Sequence, residues 1–325
     1  MKLSLIIPCY NEQENVRAFY DAAAAAFAQN AWSYELIFVD DGSSDATLRE
    51  LEALYKKAPE TVRVISFSRN FGKEAAIFAG LKAAKGDFVG LIDADLQQRP
   101  EVMAGMLELL LDEPDYDCVA ACQRERKEGG LLRGLKKGFY RMIDCMADVR
   151  FQENASDFRV FRREMADAIL QMGEYHRFSK GIFAWVGFRT KFIAYDVQER
   201  AAGKTKWSLR KLFSYAFEGI LSFSTAPLHI ATMLGMCSSL AAFVYLIAVI
   251  IQKLTCGIDV PGYATIVVLL LFLGGLQLMG LGIIGEYIGK IYEQSKHRPV
   301  YITRRTLGLK EKDDAEAEAA DGEAL

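Results

Sequence analysis

The chain has 325 residues, enough for one large domain and a smaller module, and 51% of them are hydrophobic, with the excess gathered towards the C-terminus. The formal charge of −3 hides an asymmetry: residues 311–325 carry seven acids and one lysine, a net of −6, so the remaining body is +3. Six cysteines without disulfide or zinc spacing and only three histidines (His176, His229, His297) argue against a disulfide framework and against histidine-based metal or triad chemistry.

Residues 3–7 read as a first strand. This apolar run is too short for a signal peptide and leads straight into Tyr10-Asn11-Glu12, so the N-terminal part is expected in the cytosol. A helix over 14–28 and a strand over 34–39 follow. That strand ends at Asp40-Asp41-Gly42-Ser43-Ser44, a turn rich in helix N-caps, before a helix over 46–57. A third strand over 62–67 leads through Arg69-Asn70-Phe71-Gly72-Lys73 into a helix over 74–84. A fourth, over 87–92, ends at Asp93-Ala94-Asp95. Pro100 opens a helix through 111, and 117–121 is a fifth strand. This alternation predicts an α/β domain with a mostly parallel sheet and helices on its faces.

From Gln123 to Arg141 the chain turns basic, with Leu131, Leu132, Leu135, Phe139, Tyr140 and Ile143 at helical spacing: an amphipathic cationic helix. Residues 158–161 and 189–197 read as strands. Residues 209–223 form a second amphipathic helix, with a basic start and an aromatic face suited to a membrane interface. Residues 227–251 and 262–285 are two apolar stretches that lack Asp, Glu, Lys and Arg, each long enough to cross a hydrocarbon core of about 30 Å. Basic flanks on both sides (Lys204, Lys206, Arg210, Lys211; Lys290, Lys296, Arg298, Arg304, Arg305) place both in the cytoplasm and the short loop outside. The expected organisation is therefore a cytosolic catalytic domain over 1–206, an interfacial helix over 207–225, a transmembrane hairpin over 226–290 and a cytosolic tail over 291–325, acidic and disordered from about 310. Gly274, Gly275, Gly280, Gly282 and Gly285 on the second span favour close helix contacts, and a homo-oligomer through these helices is expected.

The most telling feature for chemistry is Asp93 and Asp95 at a strand's carboxyl end, where open α/β sheets bind ligands, with the Gln97 oxygen two residues on. Hard oxygen donors suit Mg²⁺ or Mn²⁺, ions that complete their shells with substrate phosphates. A metal–diphosphate site is the expectation. The mildly basic body fits an anionic surface or phosphorylated substrates, and no nucleic-acid partner is expected.

Taken together, Pro8-Cys9-Tyr10-Asn11-Glu12, Val39-Asp40-Asp41-Gly42-Ser43 and Asp93-Ala94-Asp95, each at a strand end, resemble the family-2 glycosyltransferases of the GT-A fold. Arg69–Glu74, Asp93–Gln97, Ser156–Arg159, Glu199–Lys206 and Gly285–Tyr292 narrow the resemblance to the polyprenyl-phosphate glycosyltransferases, a group that includes bactoprenol glucosyltransferases and dolichol-phosphate mannose synthases. Arg99 and Thr205 depart from the usual pattern without touching a metal ligand. The resemblance implies an inverting transfer of a sugar, glucose from UDP-glucose first, to undecaprenyl phosphate at the cytoplasmic membrane, for cell-envelope glycan modification. GDP-mannose or UDP-formyl-aminoarabinose as donor, a processive polysaccharide synthase and a non-catalytic nucleotide-sugar-binding protein are the alternatives.

It also implies roles. Pro8, Tyr10 and Glu12 would hold the nucleoside, with Asp40 or Asp41 reading the base and Asn70 in the same pocket. Asp93, Asp95 and Gln97 would hold the metal, Asp95 thereby serving the chemistry directly. Lys73 would add positive charge near the phosphates, and Arg124, Arg126, Arg133, Lys137, Arg200, Lys204 and Lys206 would bind the acceptor phosphate. Asp157 would be the catalytic carboxylate, as a base or as a positioning group, unless it is spent in a pair with Arg159 or Arg162.

Overall fold

The computed structural model describes residues 1–28, 30, 32–123, 155–195, 224–256 and 262–309. The chain divides into two compact units: one contains the described residues up to 195 together with 299–309, the other those from 224 to 298.

The first unit runs β1 (Lys2–Cys9), α1 (Val16–Phe27), β2 (Ser33–Asp40), α2 (Thr47–Lys57), β3 (Val62–Phe67), α3 (Lys73–Ala83), β4 (Phe88–Leu91), α4 (Pro100–Asp112), β5 (Cys118–Gln123), β6 (Ala155–Arg162), α5 (Arg163–Leu170), α6 (Ser179–Trp185), β7 (Thr190–Tyr195) and, after the second unit, β8 (Thr303–Leu307). All eight strands join one sheet in the order β7-β5-β6-β4-β1-β2-β3-β8. The centre, β4-β1-β2-β3, is parallel, as the strand–helix alternation predicts. The strands are apolar because both sheet faces are covered. Leu3, Leu5 and Ile7 share a core with Phe19 of α1, Leu51 of α2 and Leu107 of α4. Ile6 points to the other face, where α3 lies so close that a Cβ on Gly80 would sit 2.2 Å from the Ile6 side chain. Accordingly α3 is buried on nearly all sides from Ala75 to Leu81.

Register places the site. Cys9 pairs with Asp40, so the loops after β1 and β2 leave the sheet side by side. Strand β6 runs antiparallel to β4 with Leu91 opposite Arg159, and continuing that register sets Asp93 opposite Asp157. The predicted strands near 117, 158 and 189 are all present, with β6 antiparallel and β5 parallel to β7. The expected end of the first domain at 206 does not describe the sheet: β8 pairs antiparallel with β3, so residues taken for a tail complete its edge. Tyr301 stacks on Phe67 at 4.9 Å, and Arg305 pairs with Glu52.

The second unit holds α7 (Ala226–Cys256) and α8 (Tyr263–Ser295), which pack against each other. Among the described residues, two helical stretches are long and apolar enough by composition to cross a membrane, Ala226–Gln252 and Val268–Ser295, and neither is buried. Leu240, Phe243, Leu270 and Phe272 are all exposed, a surface suited to lipid rather than water. Both helices outrun the stretches expected from the sequence, because helix geometry continues past the apolar run into Glu286–Ser295. Tyr287 donates from its hydroxyl to the Ser224 carbonyl at 2.5 Å. The predicted amphipathic helices over 123–141 and 209–223 and the acidic tail lie outside the described residues.

Candidate active site

The loops after β1 and β2 are laced together. The Asn11 amide donates to Ser43 Oγ (3.0 Å), while Asn11 Oδ1 accepts from the Ser44 amide (2.9 Å). The Glu12 amide donates to Thr47 Oγ1 (2.9 Å), and Gln13 Oε1 accepts from the Ala46 amide (2.8 Å). Asn11 holds φ +54°, a left-handed conformation that asparagine tolerates through such local bonds. Pro8 is half-buried opposite Val39, and Tyr10 is 40% exposed.

Asp40 and Asp41 are both buried and spoken for by protein donors. Asp40 accepts from the Ser43 amide (3.1 Å) and the Ser66 hydroxyl (2.8 Å), tying β2 to β3. Asp41 Oδ1 accepts from the amides of Phe71 (2.6 Å) and Gly72 (3.1 Å), which fixes the loop carrying Asn70. Burial pushes Asp41 up to about 6, against those two amide bonds. Between them Gly42, at φ +63°, lets the loops touch: a Cβ there would lie 2.3 Å from the Arg69 carbonyl carbon.

At the end of β4 the register becomes chemistry. Lys73, first residue of α3, sets its ammonium 2.6 Å from Asp93 Oδ1 and 3.3 Å from Asp157 Oδ2, joining the two opposed carboxylates. Burial works against its charge, but Asp93 and then Asp157 hold the ammonium well above the ordinary lysine range. Burial likewise raises Asp157; Lys73, Lys180 and Arg159 outweigh it and hold the carboxyl below its usual range. Asp157 pairs with neither Arg159, whose guanidinium lies over the Phe183 ring and donates to the Ser156 carbonyl, nor Arg162, which donates to the carbonyls of Tyr116 and Leu110.

Gln98, which the sequence reading missed, is buried and cradles Asp93 from both sides: its Oε1 accepts from the Asp93 amide (2.9 Å) and its Nε2 donates to Oδ2 (3.3 Å). Two adjacent glutamines at a strand end gave no means of telling ligand from orienter. Asp95 Oδ1 accepts from the Gln97 amide (3.1 Å) across Leu96, which is held at φ +59°. Such strain is tolerated where it aims functional groups. Among the described residues no third His, Cys, Asp or Glu joins Asp93 and Asp95 in a metal-holding group. Asp93 and Asp95, with Gln97 two residues on, are hard oxygen donors of the kind that suits an ion taking its other ligands from a diphosphate and water, and Asp93 already meets Lys73 through Oδ1 and Gln98 through Oδ2. Glu74 and Ser179 were also missed. Glu74 Oε2 accepts from the Ser179 amide (2.9 Å) and hydroxyl, and burial, with Asp157 nearby, pushes Glu74 up to about 7. Arg124, Arg126, Arg133, Lys137, Arg200, Lys204 and Lys206 lie outside the described residues.

The model of glycosyl transferase family 2 matches residues 4–170, and that of the GtrB C-terminal hairpin matches residues 226–291. An uncharacterized glycosyltransferase of Synechocystis sp. is 41% identical over 95% of this chain and 96% of its own length. The bactoprenol glucosyl transferase of Shigella phage SfV is 41% identical over 94% of this chain and 98% of its own. A prophage bactoprenol glucosyl transferase homolog of Escherichia coli K12 is 40% identical, with 94% and 99% covered.

Proposed function

The chain belongs to glycosyl transferase family 2 and has its GT-A fold, and on that premise we propose that it moves a sugar from a nucleotide donor to a polyprenyl phosphate, glucose from UDP-glucose to undecaprenyl phosphate being the specific reading. The observation that carries the proposal is the Asp93–Lys73–Asp157 bridge at the carboxyl end of the sheet. The sugar follows the relatives named as bactoprenol glucosyl transferases, which match this chain nearly end to end.

In this reading the laced loops after β1 and β2, with Tyr10 and Asn70, receive the nucleoside. Asp40 and Asp41 act chiefly by holding those loops, although Asp41 Oδ2, which accepts from the Gly72 amide alone among the described residues, keeps room for a donor from the base. Asp93, Asp95 and Gln97 would hold Mg²⁺ or Mn²⁺, a Lewis acid that offsets charge on the departing nucleotide. Gln98 keeps Asp93 aimed and Lys73 sets a cation beside it. The acceptor, a phosphate monoester with a second pKa near 6, is already largely a dianion at neutral pH. It needs placement in line with the sugar C1 rather than a strong base. A carboxylate held below its usual range is a poor proton acceptor, so Asp157 serves better in positioning and in charge balance.

The deciding experiment incubates the purified full chain with undecaprenyl phosphate, a panel of labelled nucleotide sugars and Mg²⁺ or Mn²⁺. A single-sugar lipid product with inverted anomeric configuration by NMR is expected. No lipid-linked product with any donor, or a retained configuration, defeats the proposal. Long polymer would favour a processive synthase, and donor binding without turnover a non-catalytic role.

A further inference from the structure

A phosphate approaching Asp157 meets a charge problem. Lys73 is shared between Asp93 and Asp157, so the three side chains together carry one net negative charge. A dianion entering there draws on every cation within reach, Arg159 and a metal at Asp93 and Asp95 included, and a further cation strengthens its hold.

Helix α6 supplies one. Its first residue, Ser179, is clamped through amide and hydroxyl to Glu74, the neighbour of Lys73 on α3. One turn later the Phe183 ring meets Phe161 edge-on at 5.3 Å and lies 3.9 Å below the Arg159 guanidinium. Arg177, just before the helix, lies over the Phe78 ring of α3 at 4.2 Å and donates to the Met172 carbonyl at 2.6 Å. The helix is thereby pinned to the two elements that carry Lys73 and Asp157. Lys180, next to the clamp, is half-buried with its charge acting on Asp157, and among the described residues it makes no ion pair or hydrogen bond of its own. Asp157 Oδ1 is buried and likewise lacks a hydrogen-bond partner among the described residues.

We propose that Lys180 is a phosphate-binding residue of the transfer site, and that Glu74, through Ser179, is the positioning residue that presents it. The inference rests on the transferase reading above. Its ligand is a phosphate oxygen, from either the acceptor monoester or the donor diphosphate.

The test measures transfer by the full chain while acceptor and donor concentrations are varied separately. Lys180→Met is expected to raise the KM for undecaprenyl phosphate about tenfold, the scale of one lost charge-assisted hydrogen bond, with unfolding temperature unchanged and Lys180→Arg restoring most of the loss. A rise in the donor KM instead supports the same residue with the diphosphate as ligand. Unchanged KM values for both substrates overturn the proposal. Glu74→Ala is expected to raise the same KM in the wild-type background and to add little in the Lys180→Met background. An equal effect in both backgrounds overturns the positioning role. Absence of transfer by the unmutated chain would count against the transferase reading, not against Lys180.

Discussion

Lys73 shows how much one side chain can decide. Its bridge holds Asp157 below its usual range, so Asp157 stays ionised well into acid. Without the ammonium the carboxyl returns upward, because burial is then less opposed. Lys73→Met should move the acid limb of the kcat/KM–pH profile to higher pH and lower kcat by at least about a hundredfold. An unmoved limb would mean that the bridge does not control Asp157. Glu74 has the opposite sign. Its folded pKa of about 7 lies above its ordinary value of 4.5, so the fold favours the protonated form. The stability it contributes is full below about 4.5 and is lost as pH rises through 7. Glu74→Gln keeps an acceptor oxygen for Ser179 without the charge, so it should raise the unfolding temperature at pH 8 and change it little at pH 5. A gain that is equal at both pH values would assign the effect to packing. The sequence showed this only in part: Asp93 stood out at a strand end, and the family resemblance implied roles for Lys73 and Asp157, but that Lys73 joins the two carboxylates depends on register between strands some 60 residues apart, and nothing pointed to Glu74.

At the scale of elements, the parallel centre was readable because buried strands and amphipathic helices announce themselves by composition and period. Strand β8 did not. Thr303-Arg304-Arg305-Thr306-Leu307 is polar, as an edge strand should be, and its partner β3 lies more than 230 residues earlier. Its consequence reaches the site. Tyr301 packs on Phe67 and Phe78, Phe67 meets Phe71 edge-on at 5.8 Å, and the Ser68 amide donates to the Ile302 carbonyl at 3.0 Å. The segment after the hairpin therefore buttresses the loop whose amides hold Asp41. Tyr301→Ala should lower stability by about 1–3 kcal/mol and weaken donor binding, as measured by thermal unfolding and by titration with UDP. Gly42→Ala should weaken UDP binding further, because the added methyl collides with backbone that cannot rotate away and sits at a positive φ. UDP affinity unchanged in both variants would separate this loop from the nucleoside pocket.

At the scale of the whole molecule, the apolar stretches were plain from composition and their basic flanks set an expected orientation, to which the sheet adds a constraint of its own. The first unit is built from chain on both sides of the hairpin, since β8 pairs with β3. A sheet cannot be divided across a bilayer, because its strands pair edge to edge and an unpaired backbone is not tolerated in hydrocarbon. If α7 and α8 each cross, the two crossings must cancel, leaving both flanks on one face and residues 257–261 on the other. The expectation from the basic flanks is that this face is the cytoplasmic one. In a cysteine-free background, Asp259→Cys should react with a membrane-impermeant maleimide added outside intact cells. Glu293→Cys should react only after the membrane is opened. Equal labelling of both positions in intact cells would show that the helices do not form a crossing pair, and the acceptor phosphate would then have to reach Asp157 by another route than from a bilayer spanned by this chain.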